Sequence, residues 1–184
     1  MSLAFGILGL LTYQDSTGYD LAKTFEDSLN NFWHAQSSQI YRELGHMEKD
    51  GLVSSRNIIQ SGRPNKRLYS ITEEGRAALS KWLSETEPEV ENPHHALLMR
   101  VFFGAGDPEA TLTMLRKCRQ QCLSVLEANC SDVRQNIENY AAITPDGQEK
   151  RRYWLMTLDY GIAQTQALAD WAGRCIEQIE KEML

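Results

Sequence analysis

Between Gly51 and Thr72 the hydrophobic period of this chain switches from helical to extended and back, which constrains the fold more than any other feature. Before the switch, Ile40, Leu44 and Met47 recur at i, i+4 and i+7, the buried stripe of a helix from about Gln36 to Asp50. Gly51 is the expected cap at its end. Leu52 to Ile59 then reads as a strand, Ser61 to Asn65 as a turn cluster, and Lys66 to Ile71 as a half-buried strand alternating polar and apolar residues from Arg67 onward. Two strands joined by so short a turn make a hairpin. Thr72 caps the helix that follows, Glu73 and Glu74 suit its dipole, and that helix carries Ala77, Ala78, Trp82 and Leu83.

Upstream, Leu3, Ile7, Leu8, Leu10 and Leu11 predict a short apolar helix, broken at Asp15-Ser16-Thr17-Gly18. Thr17 has the position of an N-cap, with Asp20 three residues on, and Leu21, Ala22, Phe25 and Leu29 share one face of the next helix. Asn30 and Asn31 end it, and Phe32 and Trp33 are expected in the core beside that turn. The order is helix, helix, helix, hairpin, helix: a winged helix-turn-helix. The segment from Glu85 to Pro93 is acidic, holds two prolines and lacks periodicity. It divides a DNA-binding domain over 1–86 from a helical domain over 94–184, with 87–93 as linker.

The second half is helical throughout. One helix is expected over His94 to Phe103, stopped at Gly104 and Gly106. Asp107-Pro108-Glu109 starts another that runs to about Tyr140, and Thr144-Pro145-Asp146-Gly147 is a turn. In the last helix Leu155, Leu158, Ile162, Thr165, Ala169, Ala172, Ile176, Ile179 and Met183 step by alternating three and four, a heptad seam. A second stripe, Tyr153, Met156, Tyr160, Ala163, Ala167 and Trp171, lies beside it. Two apolar faces need cover on two sides, one from the same chain and one from a second subunit. We assign the seam, Leu155, Leu158, Ile162, Ala169, Ala172, Ile176 and Ile179, to dimerisation. The fold class is therefore mainly α with a small β wing, plus a long-helix dimerisation domain.

Charge distribution then narrows the function. The 184-residue chain carries a net −6, yet from Gln36 to Arg67 six basic residues (Arg42, Lys49, Arg56, Arg63, Lys66, Arg67) face only Glu43, Glu48 and Asp50. A nucleic-acid binder needs a local positive face, not a positive total. The outward positions of the third helix are Ser37, Ser38, Gln39, Arg42, His46 and Lys49, with Tyr41 at the margin. Ser and Gln can bond base edges, Arg42 can reach a guanine edge or a phosphate, and Tyr41 a phosphate. A winged-helix module that binds only proteins is the alternative.

Other chemistries find little support. No Gly-rich phosphate loop, zinc signature or nucleophile elbow is present, so no enzyme activity, cofactor or metal is expected. His94 and His95 are adjacent and diverge by about 100° on a helix. Cys118, Cys122, Cys130 and Cys175 read as buried free thiols. The apolar opening is too short to span a bilayer and lacks the marks of a signal peptide, so a cytoplasmic location without membrane association is expected.

Four motifs carry a resemblance: Thr17-Gly18-Tyr19-Asp20-Leu21; Ser38-Gln39-Ile40-Tyr41-Arg42-Glu43-Leu44; Met47-Glu48-Lys49-Asp50-Gly51-Leu52-Val53; and the run from Gly62 to Gly75. Together they resemble the PadR family of transcriptional regulators. Arg42 stands where the commonest family pattern has Pro. That version, with a long helical second half, looks more like the virulence-activator (AphA-like) branch. The resemblance implies a homodimer on a near-palindromic double-stranded operator, with Tyr19, Ser38, Tyr41 and Arg42 facing DNA and Arg63, Lys66 and Arg67 in the wing. It leaves repression and activation both open. It also implies a small-molecule effector, aromatic or phenolic; Tyr153, Trp154, Tyr160, Trp171 and the six Met could line a pocket for it, or be plain core or dimer interface.

Overall fold

The computed structural model describes residues 2–29, 32–59, 66–84, 95–128 and 132–182. The expected linker, the turn cluster with Arg63, and Asn30, Asn31, His94, Cys130 and Met183 lie outside them. The chain separates into two compact units, Met1–Pro88 and Glu89–Leu184.

The first unit orders α1 (Ser2–Leu11), β1 (Ser16–Thr17), α2 (Gly18–Ser28), α3 (Ser37–Lys49), β2 (Val53–Ile58), β3 (Lys66–Ile71) and α4 (Glu73–Ser84). Local chemistry sets most of these boundaries. Thr17 Oγ1 accepts from the Asp20 amide at 3.2 Å and donates to Asp20 Oδ2 at 2.7 Å, starting α2. At the end of α3, Gly51 takes φ 73°. Leu52 N then donates to Met47 O at 2.8 Å and Gly51 N to Glu48 O at 3.2 Å, a Schellman closure that needs glycine at the left-handed position. Thr72 Oγ1 accepts from Gly75 N at 3.0 Å and caps α4.

The sheet has three antiparallel strands in the order β1-β3-β2. Val53 pairs with Ile71 and Ile58 with Lys66, while Ser16 and Thr17 pair with Tyr69 and Leu68. β1 is an addition to the expected hairpin. Its two residues are too few to show a period, and only pairing with β3 makes them a strand. Ile7, Leu8, Leu11, Leu21, Phe25, Ile40, Leu44, Met47 and Val53 are buried in one core, with Tyr69 and Leu79. Phe32 was expected there and is 48% exposed, whereas Trp33 packs against the core. α4 buries Gly75 and Leu79, turns Ala77 and Leu83 outward, and stacks Trp82 on Phe5 with ring centroids 4.9 Å apart.

The second unit contains α5 (Ala96–Phe102), a 3₁₀ turn over Gly104–Gly106, α6 (Pro108–Ala128), α7 (Arg134–Ile143) and α8 (Gly147–Glu182). Asp107 caps α6 by accepting from Ala110 N at 3.0 Å. The single helix expected to reach Tyr140 is two. α6 ends at Ala128 and α7 begins at Arg134. α6 and α7 both run antiparallel to α8: Arg116 pairs with Glu180 at 2.5 Å, Arg134 with Asp159 at 3.4 Å, and Arg151 with Glu138. Between them lie the buried Leu112, Leu115, Cys122, Ala141, Leu158, Ala169 and Ala172.

This packing covers part of the heptad seam within the chain itself. Leu158, Ala169 and Ala172 are buried in the single chain, and Leu155, Ile162, Ile176 and Ile179 are half-buried. These residues are used mainly inside the chain. The neighbouring stripe is the open one, with Tyr153, Met156 and Tyr160 exposed by 54, 60 and 58%. Cys118, Cys122 and Cys175 are free thiols; burial, then the neighbouring Cys118, pushes the Cys122 thiol up. Among the described residues no helix is long and apolar enough to cross a membrane.

Candidate nucleic-acid interface

α3 is held by its buried stripe, Ile40, Leu44 and Met47. Its first two turns look outward: Ser37, Ser38, Gln39, Tyr41 and Arg42 are all exposed. Arg42 makes no ion pair among the described residues. Gln39 has a second task, because its Oε1 accepts from the Gln36 amide at 2.8 Å and so caps the helix. Its amide group remains for other partners.

Tyr19 on α2 is 70% exposed and stands near Tyr41, which is 48% exposed. The two rings edge a groove of about 400 Å³ that also takes in Ala22, Lys23, Glu26, Asp27 and Ser37. Gly18 makes the position of Tyr41 possible. A Cβ there would come within 2.4 Å of Tyr41 Cε1, inside contact distance, so a side chain at position 18 would displace the ring. The glycine was legible only as part of a helix break; its closeness to a tyrosine 23 positions away is tertiary.

The hairpin holds fewer free cations than its sequence offers. Lys66 is exposed, and Arg63 lies outside the described residues. Arg67, expected to face DNA, is exposed and is also engaged within the chain. Its Nη2 donates to Glu48 Oε1 at 2.9 Å and Oε2 at 2.8 Å, and its Nε to Ser55 Oγ at 2.7 Å. Arg56 lies 3.9 Å from Asp15. The local excess of positive charge is therefore concentrated in Arg42, Lys49 and Lys66, the exposed and unpaired cations of the described residues between 36 and 67.

This arrangement, an exposed helix start beside a hairpin on a small helical core, has clear relatives. Residues 7–81 match the model of the transcriptional regulator PadR-like family, and 94–180 that of the virulence activator alpha C-terminal domain. The negative transcriptional regulator PadR of Bacillus subtilis is 34% identical over 185 residues, 98% of each chain. The chain belongs to the PadR-like family of transcriptional regulators. A second relative, the probable transcriptional regulator Rv1176c of Mycobacterium tuberculosis, is 30% identical over 99% of this chain and all of its own. Among solved structures, Bacillus subtilis PadR in complex with operator DNA superposes with TM-score 0.77, at 22% identity over 97% of this chain and 99% of that one. The Vibrio cholerae virulence activator AphA superposes with TM-score 0.75, at 24% identity over 98% and 99%. These superpositions establish the winged-helix fold with a helical second half. This PadR-like chain is a regulator, as its relatives are, and not an enzyme.

Proposed function

We propose that the chain works as a homodimer on a near-palindromic duplex operator, with the start of α3 in the major groove and the hairpin along the phosphate backbone. One observation carries this reading. Ser37, Ser38, Gln39, Tyr41 and Arg42 are exposed on a helix whose other face, Ile40, Leu44 and Met47, is buried almost completely. Such a helix offers a rigid row of donors and acceptors that can enter a groove without unfolding anything. Ser37, Ser38, Gln39 and Arg42 are the base readers in this scheme; Tyr19 and Tyr41 contact phosphates, and Arg63 and Lys66 add sequence-blind attraction. The solved complex of Bacillus subtilis PadR with operator DNA supports the same use of the fold.

Dimerisation falls to the second unit. Because Leu158, Ala169 and Ala172 are occupied within the chain, the exposed stripe of Tyr153, Met156 and Tyr160 is the face assigned to the partner. Two half-sites would then lie one helical turn apart, about 34 Å, or a multiple of it. A small aromatic or phenolic effector belongs to this reading through the structure of Bacillus subtilis PadR with p-coumaric acid, and a regulator that meets its operator would act in the cytoplasm.

The test is a gel shift on the duplex upstream of the chain's own gene and on a random duplex of equal length. Salt-sensitive binding with preference for the upstream duplex is expected. No retention of either duplex at low salt would leave a protein-binding module instead.

A further inference from the structure

Arg67, Glu48 and Ser55 close a ring of hydrogen bonds between α3 and the hairpin. Arg67 Nη2 reaches both Glu48 oxygens, at 2.9 and 2.8 Å; Arg67 Nε donates to Ser55 Oγ at 2.7 Å; and Ser55 Oγ donates to Glu48 Oε1 at 2.6 Å. Each residue comes from a different element: Glu48 from the last turn of α3, Ser55 from β2, Arg67 from β3. The strand register explains the meeting. Ser55 stands opposite Tyr69, and Arg67 is two residues from Tyr69, so all three share one face of the sheet. The guanidinium folds back over the Tyr69 ring, 5.6 Å from its centroid, toward Glu48.

We propose that Glu48 and Ser55 hold Arg67 as a brace that sets the angle of the hairpin to α3, so that Arg67 is a positioning residue and not a phosphate contact. The inference rests on the DNA-binding reading above and refines which cations that reading uses. Two bonds from Nη2 and one from Nε engage one edge of the guanidinium with an opposite charge and a hydroxyl. A phosphate approaching that edge would have to compete with a carboxylate already in place. Lys66, one residue away, is exposed without such a partner and is the phosphate contact the described part of the hairpin offers. Glu48 thus has two effects: it fixes the geometry and it hides one positive charge from the polyanion.

Charge masking and geometry separate in a salt titration. Each phosphate contact contributes about 0.9 to the slope of log K against log salt. Arg67→Gln should weaken binding to the preferred duplex about ten-fold and leave that slope unchanged. Glu48→Gln should release the guanidinium, tighten binding to random duplex several-fold at low salt, and reduce discrimination between the two duplexes about ten-fold. The double variant should resemble Arg67→Gln alone, because both substitutions break one brace. A slope flattened by about 0.9 per chain in Arg67→Gln would make Arg67 a phosphate contact and overturn the proposal. Strictly additive effects in the double variant would overturn it as well. The same four proteins are also compared by urea unfolding without DNA. If the unsubstituted chain retains no duplex, the DNA-binding reading fails, and coupling between positions 48 and 67 in the unfolding data decides the brace by itself.

Discussion

Arg42 and Lys66 are exposed without an ion pair among the described residues, and they test different halves of DNA recognition. Arg42→Ala should relax preference at one base pair of the operator by about 1–3 kcal/mol, measured by binding to a panel of single-base variants. A uniform loss across the panel would make it a backbone contact. Lys66→Ala should instead weaken all sequences alike and flatten the salt slope by about 0.9 per chain. Residues such as these were legible because exposure on a helix or strand follows from period. Arg67 was not, since its neutralising partner Glu48 is 19 positions earlier and only the folded hairpin brings them together. Tyr41 shows the same limit. Its type and face were readable, but the space left for it by Gly18 was not.

Elements whose signals are local were readable in advance: the Thr17 cap, the Gly51 stop, the buried stripe of α3. Elements defined by distant pairing, β1 above all, were not. Leu44 is fully buried in the stripe that supports the candidate interface. Leu44→Ala should cost about 2–5 kcal/mol in urea unfolding of the first unit, by lost burial and the cavity left behind. In the second unit the pairing of α7 with α8 should respond to acid. The hydrogen bond from Arg151, more than its charge alone, holds the Glu138 carboxyl below the ordinary carboxylate value. A depressed folded value means the contribution is present above the unfolded value, about 4.3, and lost as pH falls through the folded one. Thermal unfolding of Glu138→Gln should therefore be less sensitive than the unsubstituted chain to acidification below about pH 4.3. Equal sensitivity would remove this pair from the acid response.

At the scale of the molecule, periodicity showed that α8 needs cover on two sides, but not which side the chain itself supplies. Apolar burial is non-directional, so α6, α7 or a second subunit would satisfy the same requirement. Met156→Lys, on the open stripe, should give monomers by sedimentation while leaving the helical spectrum intact. A charge at Ile176 should unfold the unit as well, because that side chain is half-covered by its own chain. A dimer that survives Met156→Lys would place the contact elsewhere. The open aromatic edge of α8 also has a consequence for dosage. If that edge is closed only by a second copy, dilution uncovers it, and occupancy of a regulated promoter should vary more steeply than linearly with the number of copies per cell.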